Sequence, residues 1–178
     1  MSPAALLPAL AAGLLALACA ACDGDEALGT RLAYPPAQLE VDAGLNPVRA
    51  HTYTLPEQST DHGRLERETG VPWADWARVT PQRASLRITE SGLGWGFANE
   101  VVVRGFTDDP RAARERFYRD NIFPDEGPLL DLIPSEADVR DLLDGERVTF
   151  VVELRRIAQS PPQSLPVTLE MSFQGYTD

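Results

Sequence analysis

The sequence predicts an all-β fold, an antiparallel β-sandwich with one to three short helices in its connections. Three observations carry that prediction. From Leu165 to Phe173 the chain places Leu165, Val167, Leu169, Met171 and Phe173 on one face without a break, while Thr168, Glu170 and Ser172 face the other way. A strict period of two is the signature of a half-buried strand. Further runs of β-formers occur at short spacing with Pro and Gly between them, the pattern of sandwiches and barrels. No strands alternate with long amphipathic helices, which argues against a parallel α/β sheet.

The elements follow in order. Leu39 to Asp42 reads as a short strand ended by the turn signal Gly44-Leu45-Asn46-Pro47. "VRAHTYTL", Val48 to Leu55, reads as a second strand ending at Pro56. Thr60 to Thr69 is polar around Leu65 and reads as an exposed helix stopped by Gly70. "VPWADWARVTP" reads as another short helix, with Pro72 in its first turn and Trp73, Trp76 and Val79 on one face at i, i+3, i+6. "ASLRITE" alternates Leu86 and Ile88 against Arg87 and Thr89, and "SGLGWG" is a flexible turn. "FANEVVVRGFTDD" carries Val101 and Val103 on one face with Gly105 at a bulge. "RERFYRD" reads as an edge strand, and Leu129 to Ile133 as a strand closed by Pro134. "SEADVRDLLDG" reads as a short helix capped by Ser135, apolar through Val139, Leu142 and Leu143, and stopped at Gly145. "RVTFVVELRRI" alternates Val148, Phe150, Val152 and Leu154, and is expected to form a hairpin with the final strand across Ser160-Pro161-Pro162.

The N-terminal residues speak of destination. Ala4 to Ala18 is nearly all Ala and Leu, with Pro8 and Gly13 inside. That is too short and small-residue-rich for a comfortable membrane span, and reads as the apolar region of a secretory signal, residues 1–18. The segment before it, Met1-Ser2-Pro3, carries no Lys or Arg. Cys19 follows Ala16-Leu17-Ala18, and Cys22 follows Cys19-Ala20-Ala21. Each is placed as the acylated cysteine of a bacterial lipobox, so the two are alternatives. Cys19 is preferred, because a cysteine is rare at the third position upstream of Cys22. A Cys-x-x-Cys redox pair needs a helix start beside a sheet, and no βαβ pattern lies nearby. A zinc site would need further cysteines, and the chain has only these two. Residues 19–36, opening with Asp23-Gly24-Asp25-Glu26 and lacking periodicity, read as an acidic tether, and residues 37–178 as the sandwich domain.

The run from "EVVVRGFTDDP" through "LLDLIP" and "ADVRDLL" to "LEMSF" resembles small, uncharacterised bacterial lipoproteins with a single β-rich extracytoplasmic domain. The resemblance implies an exported chain, anchored in the cell envelope on the periplasmic side or at the cell surface. It implies no catalytic residues.

Without the signal, roughly 155 residues remain, enough for one domain with a proper core. The formal net charge is −11, and every basic residue is Arg. An acidic chain argues against nucleic acid and against direct docking on anionic headgroups. Chemistry is sparse. The two histidines, His51 and His62, are not in a ligand spacing. There is no Gly-x-Ser-x-Gly elbow, phosphate loop or His-Glu-x-x-His. Carboxylates such as Asp108-Asp109, Asp125-Glu126, Asp141 and Asp144 are those expected of an acidic chain, and Asp108-Asp109-Pro110 suits a turn. Trp73 and Trp76 suit a helix stapled over an open end of the sandwich, whereas Trp95, between Gly94 and Gly96, is the candidate for an exposed ligand contact. The expected role is non-enzymatic and cofactor-free: a membrane-tethered binding or assembly accessory with a protein partner in the envelope. The alternative is a secreted module that binds carbohydrate or a small apolar ligand.

Overall fold

The computed structural model describes residues 29–90 and 92–177. Cys19, Cys22 and the apolar run before them lie outside the described residues. In chain order the elements are β1 (Thr30–Ala33), β2 (Ala37–Val41), β3 (His51–Thr54), β4 (Gln58–Ser59), α1 (His62–Thr69), a 3₁₀ turn (Trp73–Asp75), β5 (Trp76–Ile88) and β6 (Ala98–Phe106). A second 3₁₀ turn (Pro110–Ala112) precedes β7 (Arg114–Asp120), β8 (Leu129–Pro134), α2 (Arg140–Leu143), β9 (Arg147–Ile157) and β10 (Leu165–Thr177). The all-β expectation holds, and every strand pair is antiparallel. No helix among the described residues is long and apolar enough to cross a membrane.

The strands form one ten-stranded sheet in the order β1-β10-β5-β8-β7-β6-β9-β3, with β2 also on β10 and β4 also on β9. The sheet turns back on itself at β8. Leu129–Leu132 of β8 pair with β5, whereas Ile133 and Pro134 pair with β7. The two halves then meet through fully buried aromatic rings. Phe173 of β10 lies 6.2 Å from Phe150 of β9 and 5.8 Å from Phe117 of β7.

This arrangement corrects the expected hairpin. β9 pairs with β6, β3 and β4, and β10 pairs with β5, β1 and β2. The two strands carry strong apolar faces that oppose each other across the core instead of lying side by side. The segment with Pro161-Pro162 crosses from one half to the other.

The second predicted helix is also corrected. Only Trp73–Asp75 is helical, as one 3₁₀ turn, and Trp76 begins a long strand. The helical spacing has a physical source in β-bulges. Against β10, β5 carries extra residues at Ala77 and Gln82, so its inward positions fall at Trp76, Val79, Pro81, Ala84, Leu86 and Ile88. A bulge turns a period of two locally into a step of three. Pro81 is tolerated mid-strand because it adjoins the bulge and β8 pairs only with Ala84–Arg87.

Other boundaries move for similar reasons. Residues read as tether form β1, antiparallel to β10, with Leu32 fully buried and Tyr34 6% exposed. The fold therefore begins by Thr30, ahead of residue 37; one inward residue in a four-residue strand gives no periodicity to read. β7 is not an edge, since it lies between β6 and β8. Its bulge residue is Arg116, opposite the Val103–Arg104 step of β6, so Gly105 is not itself the bulge. Gly105 instead admits α2: a Cβ there would lie 2.7 Å from Leu142 and 3.2 Å from the Phe150 ring. Helix α2 starts at Arg140, later than expected: the Ser135 hydroxyl caps no backbone N–H, and Asp138 instead accepts the Arg140 N–H at 3.0 Å. The helix around Leu65 is as read, with Asp61 accepting from the Arg64 N–H and Gly70 closing it at φ 71°. Val48 lies outside β3 and is 86% exposed.

A chain ending at Pro162 loses β10, the shared partner of β1, β2 and β5. Its five alternating core side chains contribute on the order of 1.5–3 kcal/mol each, comparable with a whole domain's stability. The truncated chain is expected to show no cooperative transition in calorimetry; a sharp melt from a monomer would overturn this role for β10.

Candidate functional site

The structure withdraws Trp95 as an exposed contact. Its ring is fully buried, stacked on Phe97 at 5.5 Å, and its Nε1–H donates to the Pro128 carbonyl at 3.2 Å. The flanking glycines serve close backbone approach, not flexibility. A Cβ on Gly94 would overlap the Glu126 carbonyl oxygen, and one on Gly96 the Pro124 carbonyl oxygen. The indole thus anchors the loop that leads into β8.

Trp73 and Trp76 are buried, as expected of packing residues. Trp73 is 3₁₀ and ties three elements together. Its Nε1–H donates to Asp144 at 2.8 Å, its backbone N–H to Glu66 at 2.8 Å, and His62 stacks on it at 4.2 Å. Trp76 lies over the backbone of Gly175, where a Cβ would strike the indole. The histidines have separate local tasks: His51 Nε2 accepts the Asn46 N–H at 2.9 Å, and His62 Nε2 meets the Leu143 carbonyl. Among the described residues no cluster of three His, Cys, Asp or Glu side chains is arranged to hold a metal.

Several singled-out carboxylates are engaged in backbone geometry. Asp109 accepts from Arg111 N–H and starts the second 3₁₀ turn, Asp141 accepts from Leu142 N–H, and Asp144 holds Trp73.

The outer faces of the sheet differ in a way that locates a candidate binding surface. On the β6–β9 face, charges are paired. Arg104 meets Glu153 at 3.3 Å, Arg155 meets Glu100 at 3.1 Å and Glu153 at 2.9 Å, and Arg156 meets Glu100 at 3.2 Å. Val102, opposite Glu153 on that face, is only 1% exposed.

On the β1–β10–β5 face the arginines stand open. Strand alternation directs Arg83, Ser85 and Arg87 of β5 outward beside Ser172, Glu170 and Thr168 of β10, with Arg31 on β1. They border a groove of about 350 Å³ whose walls include Arg31, Arg83, Arg87 and Glu170, with Ser85 and Ser172 lying deep at 8% and 1% exposure. Ser172 donates to Gln82 at 3.2 Å. Arg83 meets Asp131 at 3.4 Å with both side chains mostly exposed, a pair worth little in water. Arg31 and Arg87 form no ion pair among the described residues. Three guanidinium groups around a polar floor can hold an anionic surface by forked hydrogen bonds. The outward alternation of Arg83, Ser85 and Arg87 was present in "RASLR", but only the register with β10 and β1 shows that these residues meet Arg31 and Glu170.

No family model matches the chain, and no curated protein matches it in sequence. A solved structure described as Desmodium yellow mottle tymovirus is similar at 8% identity and a TM-score of 0.25, covering 99% of this chain and 95% of its own.

Replacing Trp95 by Ala should lower stability by about 3–5 kcal/mol, the range for a buried Trp, measured by urea unfolding. A cost under about 1 kcal/mol, as for exposed positions, would contradict its anchoring role.

Proposed function

We propose that the chain is a membrane-tethered lipoprotein of the bacterial cell envelope, acting as a non-enzymatic binding or assembly accessory. Its open arginine groove is the surface offered to an anionic region of an envelope protein. The observation that supports this reading is the spacing in sequence between the candidate acylation cysteines and the first strand. Thr30 opens β1 eight positions after Cys22 and eleven after Cys19. An extended chain spans about 3.3–3.6 Å per residue, so a lipid on either cysteine holds the first strand within roughly 30–40 Å of the bilayer. Arg31 sits in that first strand, so the groove belongs to the part of the domain next to the anchor. Tethering raises the effective concentration of such a surface toward membrane partners without any new contact. The acidic tether, Asp23, Asp25 and Glu26, and the net charge of −11 disfavour collapse onto anionic headgroups.

The test is intact mass and fractionation in a bacterial host. The mature protein is expected in the membrane fraction with a mass matching a chain that starts at Cys19 or Cys22 plus acyl groups. Cys→Ser at the modified position should move it to the soluble fraction, and Cys→Ser at the other should not. A bare, unacylated chain would remove the anchor and this reading with it.

A further inference from the structure

Arg116 is the one bulge residue of β7, set out of register with β6 where the ladder steps from Phe117 to Glu115. It lines a recess of about 220 Å³ formed by the end of β6 (Gly105, Phe106), Thr107, Ala112, Arg114 and the start of α2 (Asp141, Leu142). Arg116 is 6% exposed, yet its side chain makes no ion pair among the described residues, and its Nε has no hydrogen-bond partner. Arg64, Arg104 and Arg155, all less buried, are each paired. A buried guanidinium nitrogen left without a hydrogen-bond partner is costly, so buried polar groups are normally paired.

Burial depresses the pKa of Arg116, with Asp141 and Asp138 opposing that shift and Arg114 reinforcing it. Asp138 accepts the Val79 and Arg140 N–H groups, and Asp141 accepts the Leu142 N–H. Both carboxylates are thus held by backbone donors and stay out of ion-pair contact with Arg116. Arg114, two residues along the strand, adds a second cation on the rim.

We infer that this recess is a binding site for a small-molecule carboxylate, held by the fork of Arg116 with Arg114 at its mouth. The planar guanidinium matches a carboxylate through two parallel hydrogen bonds. Asp141 on the lining and Asp138 behind it balance the charges of Arg116 and Arg114, which disfavours a dianionic phosphate more than a singly charged carboxylate held by directional hydrogen bonds. The size of the recess suits a compact group and excludes a bulky anion such as a nucleotide. The site is separate from the β1–β10–β5 groove and does not depend on membrane attachment.

The experiment follows the arginine Nε–H resonances of the mature protein by NMR during titration with sodium acetate, against sodium chloride and sodium phosphate at matched ionic strength. The Arg116 resonance is expected to shift saturably with acetate and not with chloride, and to saturate with phosphate only at higher concentration. Arg114→Gln, on the rim, should raise the acetate midpoint several-fold while leaving the backbone spectrum unchanged. Arg116→Gln should abolish saturation at the neighbouring Thr107 and Leu142 amides. If that variant does not fold, the anion comparison and Arg114→Gln still decide. Equal shifts with acetate and chloride, tighter phosphate binding, or a midpoint indifferent to Arg114→Gln would each overturn the assignment.

Discussion

The contact of Phe173 with Phe150 and Phe117 is the constraint on which the other features of this fold depend. A folded-over sheet is stable only if its two inner faces bury one another, and here the burial is centred on these rings. Tyr34 adds an edge-on ring 5.5 Å from Phe173, which brings the first strand under the same cluster. The Phe173 position also explains the path of the chain after β9. Once Phe150 and Phe173 face each other, the strands that carry them cannot be neighbours in the sheet, and the proline-rich crossing becomes necessary. Gly105 and Gly175 serve the same geometry from the sides, one making room for Leu142 and the other for Trp76.

What could be read in advance follows from how much each element's pattern depends on its neighbours. β9 and β10 are long and regular, so their alternating faces were legible. β5 was not, because its two bulges shift the inward residues into steps of three and two, and steps of three imitate a helix. β1 was invisible for the opposite reason: a four-residue edge strand with one core residue carries no period, and it exists only because β10 offers a free edge. Trp95 shows the limit of reading flexibility from glycine. Gly94 and Gly96 lack side chains because the backbone at Pro124 and Glu126 passes against them. That approach is long-range, and nothing in the local residues announces it.

The candidate surface was half legible. Alternation within "RASLR" directs Arg83 and Arg87 to the side away from Leu86, but the groove is made by three strands distant in sequence. The contrast between the outer faces is likewise a product of register. Glu100 and Glu153 stand beside Arg104, Arg155 and Arg156 on β6 and β9 and pair with each of them. On β5 and β10 the facing residues are Ser, Thr and a single Glu, so Arg87 has no ion pair among the described residues and Arg83 meets only the exposed Asp131 of β8. Composition alone, with its net charge of −11, hides both arrangements.

That hidden asymmetry bears on the proposed binding of an anionic surface by an acidic, membrane-tethered domain. The average field of the chain repels acidic partners, and long-range attraction is weak beyond a Debye length of about 8 Å. Recognition must then come from short-range, directional donors. Arginine supplies these better than lysine, because its fork is planar, pre-organised and less strongly hydrated. A surface whose every cation is Arg, with some pinned in Glu networks and others left open along one sheet face, separates solubility from recognition. On that proposal, the acidic surplus would keep the domain dispersed, while the open guanidinium groups would act only at contact. In the proposed envelope lipoprotein, a short tether would strengthen that division: it would supply the proximity that the unfavourable long-range field denies, so the groove would need only modest intrinsic affinity to be occupied.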